Sequence, residues 1–268
     1  MKQSYPQRIV CLTEETTETL YLLQEEWRIV GISGFTVRPP HARKEKPKVS
    51  AFTSAKVDKI LQLQPDLVLG FSDIQADIAA TLVRAGVNVH IFNQRSVQEI
   101  FSMLLTLGGM IGCQQKVEVL HDELVAGIDD MRHKASKLPK KPKVYFEEWD
   151  DPLICGIQWV SELIEIAGGE NVFADMAQSS LAKGRIIENP KEVIARAPDI
   201  ILGSWCGKKF RPQKVTARIG WSEIPAVKNK ELHEIKSSII LQPGPAVLTD
   251  GVNAMHEIFS KWAGLGNE

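Results

Sequence analysis

Two tryptophans in charged surroundings are the residues of this sequence whose chemistry is easiest to state. Trp149 lies within the run EEWDD (residues 147–151), and Trp205 lies within SWCGKK (residues 204–209). Because an indole among charged neighbours is awkward to bury, both side chains favour contact with a ligand. The four carboxylates of EEWDD could supply a general acid and a general base. A solvated turn, or ion pairs with arginines such as Arg38 and Arg185, is the more ordinary explanation for them.

Cys206 is the cysteine for which a chemical role is easiest to propose. Two lysines stand beside it, at positions 208 and 209, and their charge could lower the pKa of the thiol enough for it to ligate a soft metal centre. A buried thiol without a chemical role is the usual alternative. The four cysteines (Cys11, Cys113, Cys155 and Cys206) show no CxxC spacing, which argues against structural zinc and fits free thiols in a reducing compartment.

Composition excludes several classes of function. The 268 residues carry a formal net charge of -1, which predicts neither a nucleic-acid partner nor binding to an anionic membrane. No apolar run approaches the ~20 residues of a membrane span, so no membrane insertion is predicted. Phosphate-binding glycine loops, a nucleophile elbow and HExxH are absent, and the histidines are dispersed. The N-terminal MKQSYPQRIVCL shows no apolar signal region, which predicts a cytoplasmic protein, or a periplasmic one if a signal peptide has been removed.

Two similar stretches position these residues. ILQLQPDLVLG (residues 60–70) is repeated as VIARAPDIILG (residues 193–203), and each reads as a helix, a Pro-Asp turn, a buried strand and a glycine. An aromatic residue follows soon after each copy, Phe71 in the first and Trp205 in the second. Internal similarity at this distance predicts two similar lobes. A coincidental match between two common helix–turn–strand units is the alternative.

A long helix is predicted between the two copies. From Gln114 to Lys137 apolar residues recur at steps of three and four, and Pro139 and Pro142 prevent continuation. We therefore expect an N-terminal α/β lobe (residues 1–112), a linking helix (113–138) and a C-terminal α/β lobe (139–268). The predicted fold class is α/β, with two Rossmann-like lobes of mostly parallel sheet, one long joining helix and a ligand cleft between the lobes. An ordinary helix within a single domain is the alternative.

Residues that follow the predicted strands are the candidates for this cleft, because open α/β sheets bind ligands beyond the carboxyl ends of their strands. Aromatic faces combined with amides, hydroxyls and a few charges describe a pocket for a large flat ligand with a polar rim. Each phenylalanine among them could instead be a core residue. The candidates are Phe35, Arg38, Phe52, Phe71, Ser72, Asp73, Gln94, Trp149, Trp205, Cys206 and Gln242.

Three stretches carry a resemblance to a known family. RIVCLTEETTETLYLL, RIVGISGFTVRPPHARKEKPKVSAFTSAKVDKILQLQPDLVLG and, in the second lobe, IAGGENVFAD resemble the class III periplasmic binding proteins. Those proteins serve ABC importers of cobalamin, siderophores and haem, and the resemblance is greatest to the cobalamin-binding members. It implies that the phenylalanines and tryptophans stand against the faces of a corrin, with Arg38, Ser72, Asp73, Gln94 and Gln242 at its rim.

The resemblance implies a protein that binds cobalamin or a related corrinoid as a carrier or buffer, and not as a catalyst. A siderophore or haem is the alternative ligand, although only Cys206 and Tyr145 are candidates to hold a haem iron. The alternative from another class is an enzyme that acts on a metal chelate through Cys206 or the carboxylates of Glu147–Asp151. Importer proteins dock on the permease through an acidic residue of each lobe. Here Asp77 matches loosely and Gln242 or Leu241 stands at the second place, so the sequence leaves docking on an ABC permease open.

Overall fold

The two Pro-Asp segments occupy equivalent places in the computed structural model, which describes residues 5–265. In the first copy the Asp66 carboxylate accepts hydrogen bonds from the backbone N–H groups of Gln7 and Arg8, at 2.7 and 2.9 Å. In the second copy the Asp199 carboxylate accepts one from the N–H of Lys143, at 2.9 Å. Each aspartate thus ties the turn to the beginning of the neighbouring strand.

The repeated glycines are also equivalent, because the side chain of a neighbouring residue packs directly against each of them. A Cβ on Gly70 would stand 2.7 Å from the amide oxygen of Gln75, and one on Gly203 would stand 1.9 Å from the ring of Phe210. A larger residue at either position would force the neighbouring side chain to shift. The sequence repeat is therefore a repeat of packing, which confirms the prediction of two α/β units.

The chain divides into two compact units. Unit 1 comprises the described chain up to Gln94 together with Gln98–Leu124, and unit 2 comprises Arg95–Val97 and the chain from Val125 onwards. The division falls within a helix, Gln114–Ala135, which has the predicted beginning and ends two residues earlier than predicted. Its apolar stripe is buried, as Val117, Ile128 and Met131 show. The assignment of residues 113–138 to a separate linking segment stays a prediction.

Unit 1 contains a sheet of five parallel strands in the order β3-β2-β1-β4-β5. The strands are β1 (Ile9–Cys11), β2 (Ile29–Ser33), β3 (Lys48–Ser50), β4 (Leu67–Phe71) and β5 (Val89–Phe92). The helices that begin in or near this unit are α1 (Glu14–Leu22), α2 (Ala42–Glu45), α3 (Val57–Gln62), α4 (Ala76–Arg84), α5 (Val97–Met110) and α6 (Gln114–Ala135), with 3-10 turns at Glu26–Arg28 and Asp73–Gln75. Apolar side chains such as Val10, Ile60 and Val68 form the core against the sheet.

Unit 2 contains a mixed sheet in the order β10-β9-β6-β7, with β8 also paired to β6. Its strands are β6 (Lys143–Asp150), β7 (Leu153–Cys155), β8 (Glu170–Asn171), β9 (Ile200–Gly203) and β10 (Leu232–Glu234). Its helices are α7 (Gln158–Ile166), α8 (Ala174–Ala177), α9 (Lys191–Arg196), α10 (Pro212–Thr216), α11 (Pro225–Lys228), α12 (Ser237–Ile240) and α13 (Val252–Trp262), with 3-10 turns at Ala182–Arg185 and Trp221–Glu223 and a π-helical turn at Val247–Gly251.

One element of unit 2 differs from the prediction. Trp149 was expected to follow a strand, but β6 continues to Asp150 and turns back as an antiparallel hairpin with β7. The strand can include these charged residues because Glu147, Glu148 and Asp150 form ion pairs, as described below. All other sheet pairs of unit 2 are parallel within the described chain.

Candidate functional site

The loops at the carboxyl edge of the unit 1 sheet are tied together by Gln75. Its side chain is fully buried, and its amide nitrogen donates to the carbonyl of Phe52 at 3.0 Å while its amide oxygen accepts from the N–H of Phe71 at 3.0 Å. The N–H of Gly34, after β2, donates to the carbonyl of Ser50 in β3 at 2.7 Å. The loops after β2, β3 and β4 therefore lie at one edge. Sequence reasoning missed Gln75, and the glycine at position 70 was the only local signal for it.

Some predicted ligand residues of unit 1 reach the surface and others do not. Phe35 is 57% exposed, Asp73 is exposed and Phe52 is half-buried. Phe71, Ser72 and Gln94 are buried instead, at 5%, 1% and 4% exposure, and their contact with a ligand stays a prediction.

The buried positions have local reasons. Phe71 is the last residue of β4 and lies within the sheet, with its backbone N–H bound by Gln75. The hydroxyl of Ser72 accepts from the N–H of Ile74 at 3.3 Å, so it caps the 3-10 turn. Ile74 is 48% exposed at the same edge and adds an apolar side chain that the sequence reasoning missed.

Arg38 has a partner within unit 1. Its guanidinium forms an ion pair with Glu18 at 2.7 Å. Arg38 and Glu18 line a cavity of about 620 Å³ that extends along α1. The other lining residues are Tyr21, Leu22, Gln24, Glu26, Val37, Pro39, Pro40 and His41. This volume lies in the range of small-molecule sites.

Two buried glutamates begin α1 at the same edge. Oε2 of Glu14 accepts from the N–H of Val37 at 2.9 Å, and Oε1 of Glu15 accepts from the hydroxyl of Thr13 at 2.6 Å. Burial raises the pKa of Glu14 to about 8 and that of Glu15 to about 7. Burial thus favours the protonated form of Glu14, whose hydrogen bond with Val37 holds the loop that carries Phe35.

Glu147 is the centre of a buried network in unit 2. Its side chain is fully buried and accepts two hydrogen bonds from Arg218, at 2.5 and 2.9 Å, and one from the Trp205 indole at 2.9 Å. The hydroxyl of Tyr145 donates to it at 3.1 Å. Two predictions are corrected here. Trp205 is only 2% exposed, because a buried carboxylate satisfies its N–H, and it packs edge-on against Phe210 in the core. Tyr145 is fully buried, so it cannot reach a haem iron.

Two other carboxylates of this run, Glu148 and Asp150, are also ion-paired. Glu148 binds Arg185 at 2.5 and 3.1 Å, and Asp150 binds Lys208 and, at 3.5 Å, Lys214. Burial would raise the pKa of Asp150, but the hydrogen bond and charge of Lys208 hold it below its usual value. The run is thus a set of ion pairs.

Trp149, Cys206 and Gln242 are the predicted residues of unit 2 that keep some exposure. The Trp149 indole donates to the carbonyl of Asp151 at 2.8 Å, and the Lys208 ammonium lies 3.7 Å from the centre of its ring. Cys206 is exposed, but its pKa is raised by burial of the thiol and by the charge of Glu148. This corrects the expectation that the lysines lower it. Gln242 is half-buried.

Three further observations bound the chemistry. Unit 2 contains a cavity of about 580 Å³, bordered by Asp151, Ile187, Arg218 and Trp221 among others, which includes none of the predicted ligand residues. Within residues 5–265, no group of three His, Cys, Asp or Glu side chains could hold a metal ion. Over the same residues no helix is both long and apolar enough to cross a membrane.

Comparison with known proteins gives a consistent result. The family model described as periplasmic binding protein matches residues 9–239. The chain is 26% identical over 261 residues to the uncharacterized ABC transporter substrate-binding lipoprotein YvrC of Bacillus subtilis, covering 94% of this chain and 79% of that protein. It is 25% identical over 249 residues to the vitamin B12-binding protein of Vibrio vulnificus, covering 90% and 86%.

Solved structures show the same fold. The periplasmic haem-binding protein RhuT from Roseiflexus matches with a TM-score of 0.79 at 25% identity, covering 94% of this chain and 98% of that chain. These relatives are described as a lipoprotein and as periplasmic, so they give no support to the predicted cytoplasmic location. Because the family model covers most of the sequence, this chain belongs to the periplasmic binding protein family.

Proposed function

We propose that this protein is the substrate-binding protein of an ABC importer and that it binds a large flat macrocycle, a corrinoid such as cobalamin, without converting it. The observation that carries the proposal is the set of apolar side chains left exposed at the carboxyl edge of unit 1. Phe35, Val37 and Ile74 are 57%, 38% and 48% exposed there. Large exposed apolar side chains on a rigid edge are typical of binding surfaces.

Each unit offers an aromatic residue to such a ligand. Phe35 and Phe52 follow β2 and β3 in unit 1, and Trp149 stands near the carboxyl end of β6 in unit 2. Asp73 and Gln242 add polar groups for an amide-fringed rim. The relative from Vibrio vulnificus, named vitamin B12-binding, supports this choice of ligand. The cleft between the lobes stays a prediction.

Haem is the second candidate, and the haem-binding relative RhuT favours it. The two iron ligands suggested by the sequence have little support, because Tyr145 is buried and burial raises the pKa of the Cys206 thiol. An enzyme that uses the carboxylates of Glu147–Asp151 has less support. Ion pairs occupy Glu147, Glu148 and Asp150, and an acid or base must be able to exchange its proton.

We further propose that the protein acts outside the cytoplasm, as the lipoprotein and periplasmic relatives do, and delivers its ligand to an ABC permease. The permease remains the proposed protein partner, with Asp77, exposed on α4, as its candidate contact in unit 1.

Titration with cobalamin, cobinamide and haem tests the proposal. We expect saturable quenching of tryptophan fluorescence at micromolar concentration or below, with the ligand recovered unchanged. Phe35→Ala and Trp149→Ala are each expected to weaken binding about tenfold, because stacked aromatic contacts are lost. Trp27→Ala is the matched control, since Trp27 is 56% exposed and stands beside Arg28 at the amino end of β2, whereas the proposed site is at the carboxyl ends of the strands. Equal affinity in the Phe35, Trp149 and Trp27 variants would refute this placement of the site.

A further inference from the structure

We infer that Lys208 determines which macrocycles the protein accepts: it covers one face of Trp149 and exchanges that contact for an anionic group on the ligand. This inference rests on the proposed function, because it names the residue that selects ligands by their charge at the same site.

The contact between Lys208 and Trp149 is close and well defined. The ammonium lies 3.7 Å from the ring centre, well inside the ~6 Å range of a cation–π interaction. The ring is held in place by the hydrogen bond from its N–H to the carbonyl of Asp151 at 2.8 Å. A flat ligand that stacks on this face of Trp149 must therefore displace Lys208.

The charges around Asp150 make that displacement feasible. The Asp150 side chain is only 6% exposed, so leaving it without a cation would be costly. It binds two ammonium groups, Lys208 and Lys214. When Lys208 leaves, Lys214 still neutralises the carboxylate. Once it has left Trp149 and Asp150, the Lys208 ammonium can pair with an anion on the ligand.

The chemical class of the preferred ligand follows. It is a flat macrocycle that carries an anionic group near its edge, able to form a charge-assisted hydrogen bond with the Lys208 ammonium. The phosphodiester of cobalamin and the propionates of haem both meet this description. Cobinamide has the same corrin without the phosphodiester, and the dimethyl ester of haem lacks the negative charges.

Paired titrations test the inference. In Lys208→Met we expect about tenfold weaker binding of cobalamin, while cobinamide binds equally or more tightly because one face of Trp149 is uncovered. A loss that appears with haem but not with its dimethyl ester would identify propionates as the anion that Lys208 reads. Lys209→Met is the matched control, since Lys209 is exposed in the same loop. This variant should keep the preference for cobalamin over cobinamide.

Lys214→Met supplies a second measurement. Without Lys214, Asp150 must keep Lys208, so the affinity for cobalamin should fall although Lys208 is present. A Lys208→Met variant that weakens cobalamin and cobinamide equally, or neither, would overturn the inference. If Trp149→Ala still weakens binding in that case, the proposed function stands and only the role of Lys208 fails. If no macrocycle binds the unaltered protein, the proposed function and the inference fall together.

Discussion

The carboxylates near the end of the first strand of each unit are held in opposite ways, by neutral donors just after β1 in unit 1 and by cations within β6 in unit 2. After β1, Glu14 accepts from a backbone N–H and Glu15 from a hydroxyl, while Arg38, the nearby cation, is paired with Glu18. Burial then raises the pKa of both glutamates. These carboxyl groups are buried largely by becoming neutral.

Within β6, the carboxylates of Glu147, Glu148 and Asp150 are each paired with a cation. Glu147 and Glu148 bind Arg218 and Arg185 through two hydrogen bonds each, and Asp150 binds two lysines. The comparison teaches that equivalent strand ends in two similar folds can bury acids either as neutral groups or as ion pairs. With neutral glutamates, the stability of the fold depends on pH. With ion pairs, it depends on the presence of the cation.

Among the variants that test this comparison, removal of Arg218 should give the largest loss of stability. Arg218→Met leaves the fully buried Glu147 with only Trp205 and Tyr145 as donors. We expect the free energy of unfolding to fall by roughly 3–5 kcal/mol, the usual cost of breaking a buried ion pair from one side. Urea denaturation followed by tryptophan fluorescence measures it.

Two further variants sharpen that result. Lys228→Met removes the cation from the exposed pair with Glu223 and should change stability little. Adding Glu147→Gln to Arg218→Met should restore much of the loss, since an amide oxygen can still accept from Trp205 without carrying a charge. Similar stabilities for Arg218→Met and Lys228→Met would contradict the claim that the buried Glu147 of unit 2 depends on its cation.

The glutamates of unit 1 should make stability depend on pH. Because the pKa of each is higher in the folded state than in the unfolded chain, the folded state binds more protons between pH 4.5 and about 7 or 8. Stability should therefore fall as pH rises through this window and level off above it. For Glu15 alone the loss is on the order of 3 kcal/mol.

Glu14→Gln and Glu15→Gln isolate this effect from other titrating groups, such as His90, whose pKa burial lowers. The double variant should unfold at nearly constant urea concentration from pH 5 to 8, while the unaltered protein becomes less stable. Parallel curves for the two proteins would show that the glutamates are solvated or paired in solution.

Local chemistry explains why much of the fold was predictable. The repeat could be found because a Pro-Asp turn, an apolar strand and a glycine are each dictated by neighbouring residues. The helix Gln114–Ala135 could be found because its apolar stripe and the prolines that follow lie in one stretch. Phe35 was predicted correctly to lie at a strand end, and it is exposed there.

Distant partners explain what was not predictable. Trp205 looked like a surface residue because its neighbours are charged, but its indole binds Glu147, which is 58 residues away in the sequence. EEWDD looked like a solvated turn, but Arg185 and Arg218 stand 37 and 71 residues from the carboxylates that they neutralise. No window of sequence contains such pairs, so burial of polar groups had to come from the structure.

The smallest predicted difference in stability is between variants of the two Pro-Asp turns. Asp66 accepts from two backbone N–H groups, of Gln7 and Arg8, whereas Asp199 accepts from one, of Lys143. Asp66→Ala should therefore cost about 1 kcal/mol more stability than Asp199→Ala, since each bond to a carboxylate contributes on that order. The matched Asp→Asn variants keep one acceptor oxygen, so Asp199→Asn should lose less than Asp66→Asn. Urea midpoints of the four variants measure the order, and a larger loss at Asp199 would mean that the two copies of the repeat do not stabilise their units through the same contact.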